Sequence, residues 1–397
     1  MLRGAMLADG RRVDITLSGR VIAAIDDCPA EADAEFDGYL LLAAAVEPHA
    51  HLDKAFLADM VPNKRGDLLG AIKAMDLARG RINVAETIVR AERAARLMAA
   101  NGFRAVRTHV DVNPDNGIDG VDALTEVRRR LTDVIDIQIV ALAAHPIATP
   151  DAADSRAILH DALDAGADLV GGCPHLETDG NSQAATDTLL EIAADHDVGV
   201  DLHTDETLDH VAEGLEQLAA TVIATGFEHA VTASHCVSLG VRPKADQRRI
   251  ASAVAEAGIA VVALPATNLY LQGRAHQQSM PRGVTAVRAL RAAGVTVAAG
   301  ADNLHDPFNP FGRACPFETA ALMVLTTHLL PAEAWQTVTG EAAAAIGLDR
   351  QALAVGQPAD LIAVRAGSLR EALAFGPADR IVWRAGRRQA RQGHPGQ

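Results

Sequence analysis

The chain has 397 residues with 49% hydrophobic and only 3% aromatic content. That length fits one large barrel or two ordinary domains, and a core rich in Ala, Val and Leu suits a helix-rich α/β protein. A formal net charge of −15 argues against a nucleic-acid or anionic-membrane surface.

Residues 1–38 read as a small β unit. Val13–Leu17 alternates, Val21–Ile25 forms a second short strand, and Gly10 and Gly19 fall at turns. An apolar stretch, Tyr39–Val46, then runs into Glu47-Pro48-His49-Ala50-His51-Leu52-Asp53-Lys54. Residues i and i+2 of a strand share a face, so His49 and His51 should project together. Beyond them, strand-like runs alternate with helical ones. The strands are Val46–Asp53, Ala105–Val112, Ile135–Ala143, Asp168–His175, Gly199–Glu206, Ala230–Cys236, Ile259–Pro265 and Val295–Asp302. Helices are expected over Ala85–Ala100 and Leu208–Ala224, each with one apolar face. The C-terminus returns to β signals at Asp360–Val364 and Arg380–Arg384. This pattern predicts a (β/α)8 barrel over 46–349, with a small β-sandwich domain built from 1–45 and 350–397.

Four scattered cysteines without a CxxC pair predict reduced thiols in a cytoplasmic protein. No signal pattern is seen at the N-terminus, and no apolar run reaches the roughly 20 residues of a membrane helix.

Catalytic groups of such barrels sit at the C-terminal ends of the strands. Strand one ends in His49 and His51, strand five carries His203, strand six ends on His235 and strand eight on Asp302. Any one strand-end histidine is readily explained as a hydrogen-bonded structural residue. Polar residues capping several apolar strands at one rim are not. Three histidines and a carboxylate suit a divalent ion with room left for water. Strand four, ending Gly171-Gly172-Cys173-Pro174-His175, lacks the lysine that bridges a second metal in such barrels, so a single ion is expected.

The ordered stretches VEPHAHLDK (46–54), VRTHVDV (106–112), PHLE (174–177), HTDE (203–206), VTASH (231–235), NLYLQGR (268–274) and DNLHDPF (302–308) resemble the amidohydrolase superfamily, in its cytosine deaminase-like branch. The resemblance spans the barrel and includes the split β domain. It implies His49, His51, His203 and Asp302 as ligands of one Zn2+ or Fe2+. It implies His235 as the histidine that touches the metal-bound water, and Glu206 as the acid that shuttles a proton to the substrate. Asp302 would also take the water's proton. Hydroxide would attack an amino-bearing ring carbon and release ammonia. A plainer reading of Glu206 is an acid opening a helix.

Substrate contacts are expected from Lys54, Ala144, His175, Gln272, Asn303 and Phe308. Lys54 could equally pair with an acid at the rim, and Gln272 and Phe308 could be loop structure. His109 and Asp111 are expected to orient neighbours beneath the site rather than bind metal. Two positions depart from the cytosine deaminase pattern. Ala144 stands where those enzymes carry a glutamine that reads the pyrimidine amide edge. Asn303 stands where they carry an aspartate. Both changes fall on substrate recognition. Lys54 with Asn303 also resembles relatives that hydrolyse alkylamino-triazines, which lack the HTDE glutamate kept here as Glu206. The alternatives are therefore a deaminase of a cytosine-like heterocycle, and an amidohydrolase opening a cyclic amide or an N-alkylamino heterocycle. The expected partner is a small nitrogen heterocycle, with no nucleic acid and no membrane; a homo-oligomer is compatible with this reading.

Overall fold

The apolar run Tyr39–Val46 is divided at Ala44. In the computed structural model, which describes residues 1–29 and 34–389, the amide of Ala44 donates to Asp360 O (3.0 Å) and that of Ala45 to Gly102 O (2.9 Å). One residue therefore belongs to a sheet of the termini and the next to the barrel. Both halves are apolar because both are buried.

The strands are β1 (Leu2–Met6), β2 (Arg12–Ser18), β3 (Val21–Asp27), β4 (Tyr39–Ala43), β5 (Ala45–Ala50), β6 (Phe103–Val112), β7 (Asp136–Ala143) and β8 (Leu169–Gly172). They continue as β9 (Gly199–Thr204), β10 (Val231–His235), β11 (Ala260–Ala263), β12 (Val297–Ala299), β13 (Leu361–Arg365), β14 (Arg380–Arg384) and β15 (Arg387–Arg388). The termini share one continuous ladder of seven strands, β15-β14-β13-β4-β1-β2-β3. Antiparallel pairing of β13 with β4, in the register Leu361↔Ala43 to Arg365↔Tyr39, joins the two ends of the chain. Ile15, Leu41, Leu361 and Trp383 pack in its core.

Strands β5 to β12 lie side by side in chain order, all parallel. The barrel closes where Ala50 bridges Asp302. Asp302 N donates to His49 O (3.0 Å) and His51 N to Asp302 O (3.2 Å). These strands are near-continuous apolar runs because helices cover their outer face and the barrel core their inner one. The short helix Gly340–Ala345 packs with Val46, Ala105, Val262 and Ala298 and plugs the end opposite the site.

The helix Val84–Asn101 starts where the Asn83 side chain accepts from Glu86 N (3.1 Å) and stops at Gly102, whose φ of 103° ends it. The helix expected from Leu208 begins only at Gly214. There the Asp205 carboxylate accepts from Gly214 N and Leu215 N (3.0 and 2.9 Å), fixing the start. Val211, within the expected span, is 63% exposed in the loop before the helix. Among the described residues no helix is long and apolar enough to cross a membrane. All four cysteines are free thiols.

Candidate active site

Pro48 has no amide to give to the ladder, and the β5–β6 register slips between Glu47 and Ala50. This bulge turns the strand end so that the His49 and His51 rings lie 5.3 Å apart, centre to centre. His51 falls just past the last paired residue. His235 and Asp302 take φ values of 68° and 64°, the left-handed region that non-glycine residues enter at a cost, which is typical of functional sites.

The ligand atoms converge. His51 Nε2 lies 3.3 Å from Asp302 Oδ1 and 3.3 Å from His203 Nε2, and His49 Nε2 lies 3.6 Å from Asp302 Oδ1. Ligands at about 2.1 Å around a tetrahedral ion would be about 3.4 Å apart. Burial drives the pKa of His49, His51 and His203 well below the usual imidazole range, helped by neighbouring histidines and, for His51, by Lys54. The facing Nε2 atoms of His51 and His203 stand at the separation of two ligand atoms on one ion. His49 Nε2 and Asp302 Oδ1 have no hydrogen-bond partner although both are buried. These four residues fit a divalent ion. Ligand atoms of His49, His109 and His203, and of His49, His235 and Asp302, also fall within 4.8 Å of one another. His109 stacks on His49 with centroids 3.9 Å apart and is fully buried. Like His49, it does not line the cavity described below, so both rings sit at the floor of the cluster.

A second layer fixes the His49 tautomer. Ser234 Oγ–H donates to Asp201 Oδ1 (2.9 Å), so its oxygen accepts from His49 Nδ1–H (2.9 Å). The proton on Nδ1 leaves Nε2 with its lone pair toward the cluster. Asp201 also pairs with Arg107 (2.9 Å), and both are buried. Burial opposes its charge, but His109 and Arg107 outweigh burial and hold the carboxyl below its usual range. On the closing seam, Glu47 accepts from Ala301 N (3.0 Å). A Cβ on Gly300 would lie 2.5 Å from Glu47 Oε1, so the seam needs glycine there.

Glu206 lies just past β9, its Oε1 3.5 Å from His235 Nδ1. Burial, reinforced by Asp302, pushes its pKa well above the carboxylate range, so it can carry a proton. Asn268 contacts His235 Nδ1 (Nδ2 at 3.3 Å). Burial pulls the His235 pKa down to about 4 against the attraction of Asp302. Its Nε2 is left without a partner.

A cavity of about 550 Å3 opens over this cluster, lined among others by His51, His203, Glu206, His235 and Asp302. Of the residues expected to meet substrate, Lys54, Ala144, Asn303 and Phe308 line it. Lys54 Nζ lies 2.7 Å from Asp111 Oδ1 and 3.3 Å from Asp53 Oδ2. Burial opposes its charge, yet these carboxylates outweigh it and keep the ammonium protonated. Asn303 accepts from Thr267 Oγ1 (3.2 Å) and donates to Asp306 (2.9 Å). Phe308 packs on Leu57, Val61 and Met75 as an apolar wall. His175 and Gln272 are not brought into this cavity. They line a neighbouring one of about 650 Å3. His175 Nδ1–H donates to His203 O (3.2 Å), and Gln272 donates to Glu206 O (3.1 Å).

Sequence reading gave no role to Glu47, Arg107, Asp201, Ser234 or Asp306. For Asp201 a signal existed, since it shares a strand face with His203 two residues on. Arg107 likewise shares a strand face with His109, whereas Ser234 carries no such mark.

The model of the amidohydrolase family matches residues 86–389. The chain belongs to the amidohydrolase family. This amidohydrolase is 35% identical over 392 residues to a pterin deaminase of Rhizobium rhizogenes, covering 96% of this chain and 86% of the relative. Its fold matches 5-methylcytosine deaminase from Klebsiella pneumoniae with a TM-score of 0.89 at 28% identity, covering 99% of this chain and 98% of the other. It matches N-isopropylammelide isopropylaminohydrolase from Burkholderia multivorans with a TM-score of 0.81 at 30% identity, covering 98% and 97%. The amidohydrolase is thus an enzyme of carbon–nitrogen bond hydrolysis, on a (β/α)8 barrel with a sheet from its termini.

Proposed function

We propose that this amidohydrolase is a hydrolytic deaminase of an amino-bearing, oxo-substituted nitrogen heterocycle, with one divalent metal and room for a bicyclic, pterin-like ring. The observation that carries this reading is Glu206, a buried proton carrier 3.5 Å from His235 in the same cavity as the metal-binding cluster. Cleaving an amidine C–N bond needs a proton delivered to the ring nitrogen and then to the leaving amine. The bicyclic ring is supported by Ala144, which leaves open the place where a pyrimidine-reading glutamine would stand. It is also supported by the cavity volume of about 550 Å3 and by the pterin deaminase relative.

His49, His51, His203 and Asp302 would hold a Zn2+ or Fe2+ ion, which when bound makes water acidic enough to lose a proton near neutral pH. Asp302 would accept that proton. His235 would steady the attacking oxygen through its unpartnered Nε2. Glu206 would give its proton to the ring nitrogen, then pass a water-derived proton to the amine. In balance, the water oxygen bonds to the amino-bearing carbon, and one water proton ends on the ring nitrogen. The other goes to the amine, and the C–N bond breaks with its electron pair on the departing ammonia. Lys54, kept cationic by Asp111 and Asp53, would face the ring's oxo group. Four free thiols suit a cytoplasmic setting.

A second reading, hydrolysis of an N-alkylamino ring, draws on Lys54 and Asn303 in the cavity. A panel of pterins, aminopyrimidines, alkylamino-triazines and lactams decides between the two. Ammonia with a retained ring is expected; alkylamine alone, or ring-opened acids alone, would sink the deaminase assignment.

A further inference from the structure

The stretch of β5 that carries His49 is short of ladder partners. The β5–β6 register passes from Glu47↔Val106 directly to Ala50↔Thr108, so Pro48 and His49 have no partner residue on β6. On its other side β5 meets the tip of the last strand at the Ala50–Asp302 bridge. Glu47 fills this gap with its side chain, which is 1% exposed. Its Oε1 accepts from His49 N (3.3 Å) and from Ala301 N (3.0 Å), and its Oε2 lies 3.1 Å from the same Ala301 amide. The amides on either side of Ala301 are engaged elsewhere. Gly300 N donates to Ala263 O (3.0 Å) and Asp302 N to His49 O (3.0 Å). One carboxyl group thus ties the backbone of His49 to the residue that precedes Asp302. Gly300 leaves it the room, since a Cβ there would lie 2.5 Å from Glu47 Oε1 and 3.1 Å from His49 O.

We infer that Glu47 is a positioning residue for the metal: it fixes the separation of His49 and Asp302, and so the affinity and geometry with which the ion is held. This role rests on His49, His51, His203 and Asp302 being the metal ligands. A metal site tolerates its ligand atoms within about 0.2 Å of their preferred distances. Side chains sit in discrete rotamers on their backbone, so the backbone of the two ligands must be held about as closely. Strand pairing does this elsewhere in the barrel. At Pro48 it cannot, because proline has no amide to give and the register slips. Ser234 holds the His49 ring at Nδ1 (2.9 Å), and a ring held there alone can still pivot. Glu47 holds the other end, the His49 amide. Without it two buried amides, His49 N and Ala301 N, would lose this acceptor, and the two strand tips would shift to find others.

The test uses the full-length protein, stripped of metal and reloaded, in two variants. Glu47→Gln keeps the shape and one acceptor oxygen but sets an NH2 group against a backbone N–H. Glu47→Leu removes both acceptors at similar size. Zinc affinity, measured by chelator competition, should fall about threefold to tenfold in the first and about 100-fold in the second. The d–d absorption bands of the Co2+-loaded protein should shift in the same order, since they report ligand geometry. Heterocycle KM at saturating zinc should stay at the wild-type value, because Glu47 does not line the substrate cavity. A merely structural clamp would lower the melting temperature of the metal-free protein and leave the zinc affinity and cobalt bands of the folded variants unchanged. That result overturns the positioning role. If Glu47→Leu does not fold, Glu47→Gln decides alone, and wild-type affinity with wild-type bands in it overturns the role. A wild-type protein that binds neither zinc nor cobalt would instead overturn the ligand assignment.

Discussion

His51 and Asp302 meet twice: the His51 amide donates to the Asp302 carbonyl at 3.2 Å, and His51 Nε2 lies 3.3 Å from Asp302 Oδ1. The seam that closes the barrel between its first and last strands is thereby also an edge of the candidate metal-binding cluster. Barrel closure and ligand convergence are one structural event, and disturbing either should disturb the other.

Replacing Asp302 with Ala should remove a ligand and the proton acceptor together. We expect turnover to fall about 10^3-fold or more, and stoichiometric metal to be lost on elemental analysis. A variant that keeps both metal and substantial activity would refute the assignment.

Glu206→Gln separates proton transfer from metal binding. It keeps the shape of the side chain but cannot shuttle a proton. Metal content should match the wild type while kcat falls roughly 10^2- to 10^4-fold. If kcat is unchanged, the proton comes from elsewhere.

Arg107→Ala would leave buried Asp201 without its guanidinium partner beneath His49. Removing one partner of a buried pair typically costs about 3–5 kcal/mol, so the urea midpoint should fall accordingly. Because Asp201 holds Ser234, and Ser234 holds His49, zinc affinity measured by chelator competition should fall as well. An unchanged midpoint would show that the pair carries no net weight.

Asp306 ties the loop after β12, accepting from Asn303, Phe308 N and Asn309 N at 2.9, 2.9 and 3.1 Å. Burial raises its pKa from 3.8 to about 7, against those donors. A carboxyl raised on folding binds its proton more tightly in the native state. Its stabilising contribution is full below about pH 4 and is lost as pH rises through about 7. Asp306→Asn lacks this titration. The wild type's thermal advantage over the variant should therefore shrink from pH 4 to 7; a gap that widens would reverse the sign assigned here.

Ala144→Gln should restore a reader for the pyrimidine amide edge and fill space used by a larger ring. The ratio of kcat/KM for cytosine over a pterin should rise tenfold or more, since a built polar contact discriminates strongly. A ratio that stays put would remove Ala144 from substrate selection.

All eight barrel strands were legible because each is an apolar run ended by polar residues, and that pattern is written along the chain. The histidines at their ends stood out for the same reason. The helix expected from Leu208 was not, since its start is set by the Asp205 carboxylate capping Gly214 and Leu215. Periodicity does not record a cap that reaches back from a strand end.

What the sequence by itself determined is the set of strands and the residue types at their tips, because burial on two faces demands uninterrupted apolar stretches. The tertiary structure decided what those tips face. Only closure of the sheet brings Asp302 to His51. Only the packing of β9 against β10 lets Ser234 and Asp201 set the His49 tautomer. And only the walls between loops send His175 and Gln272 to a second cavity rather than the first. Distances between strands depend on ladder register and loop packing, to which a linear spacing of residues is blind.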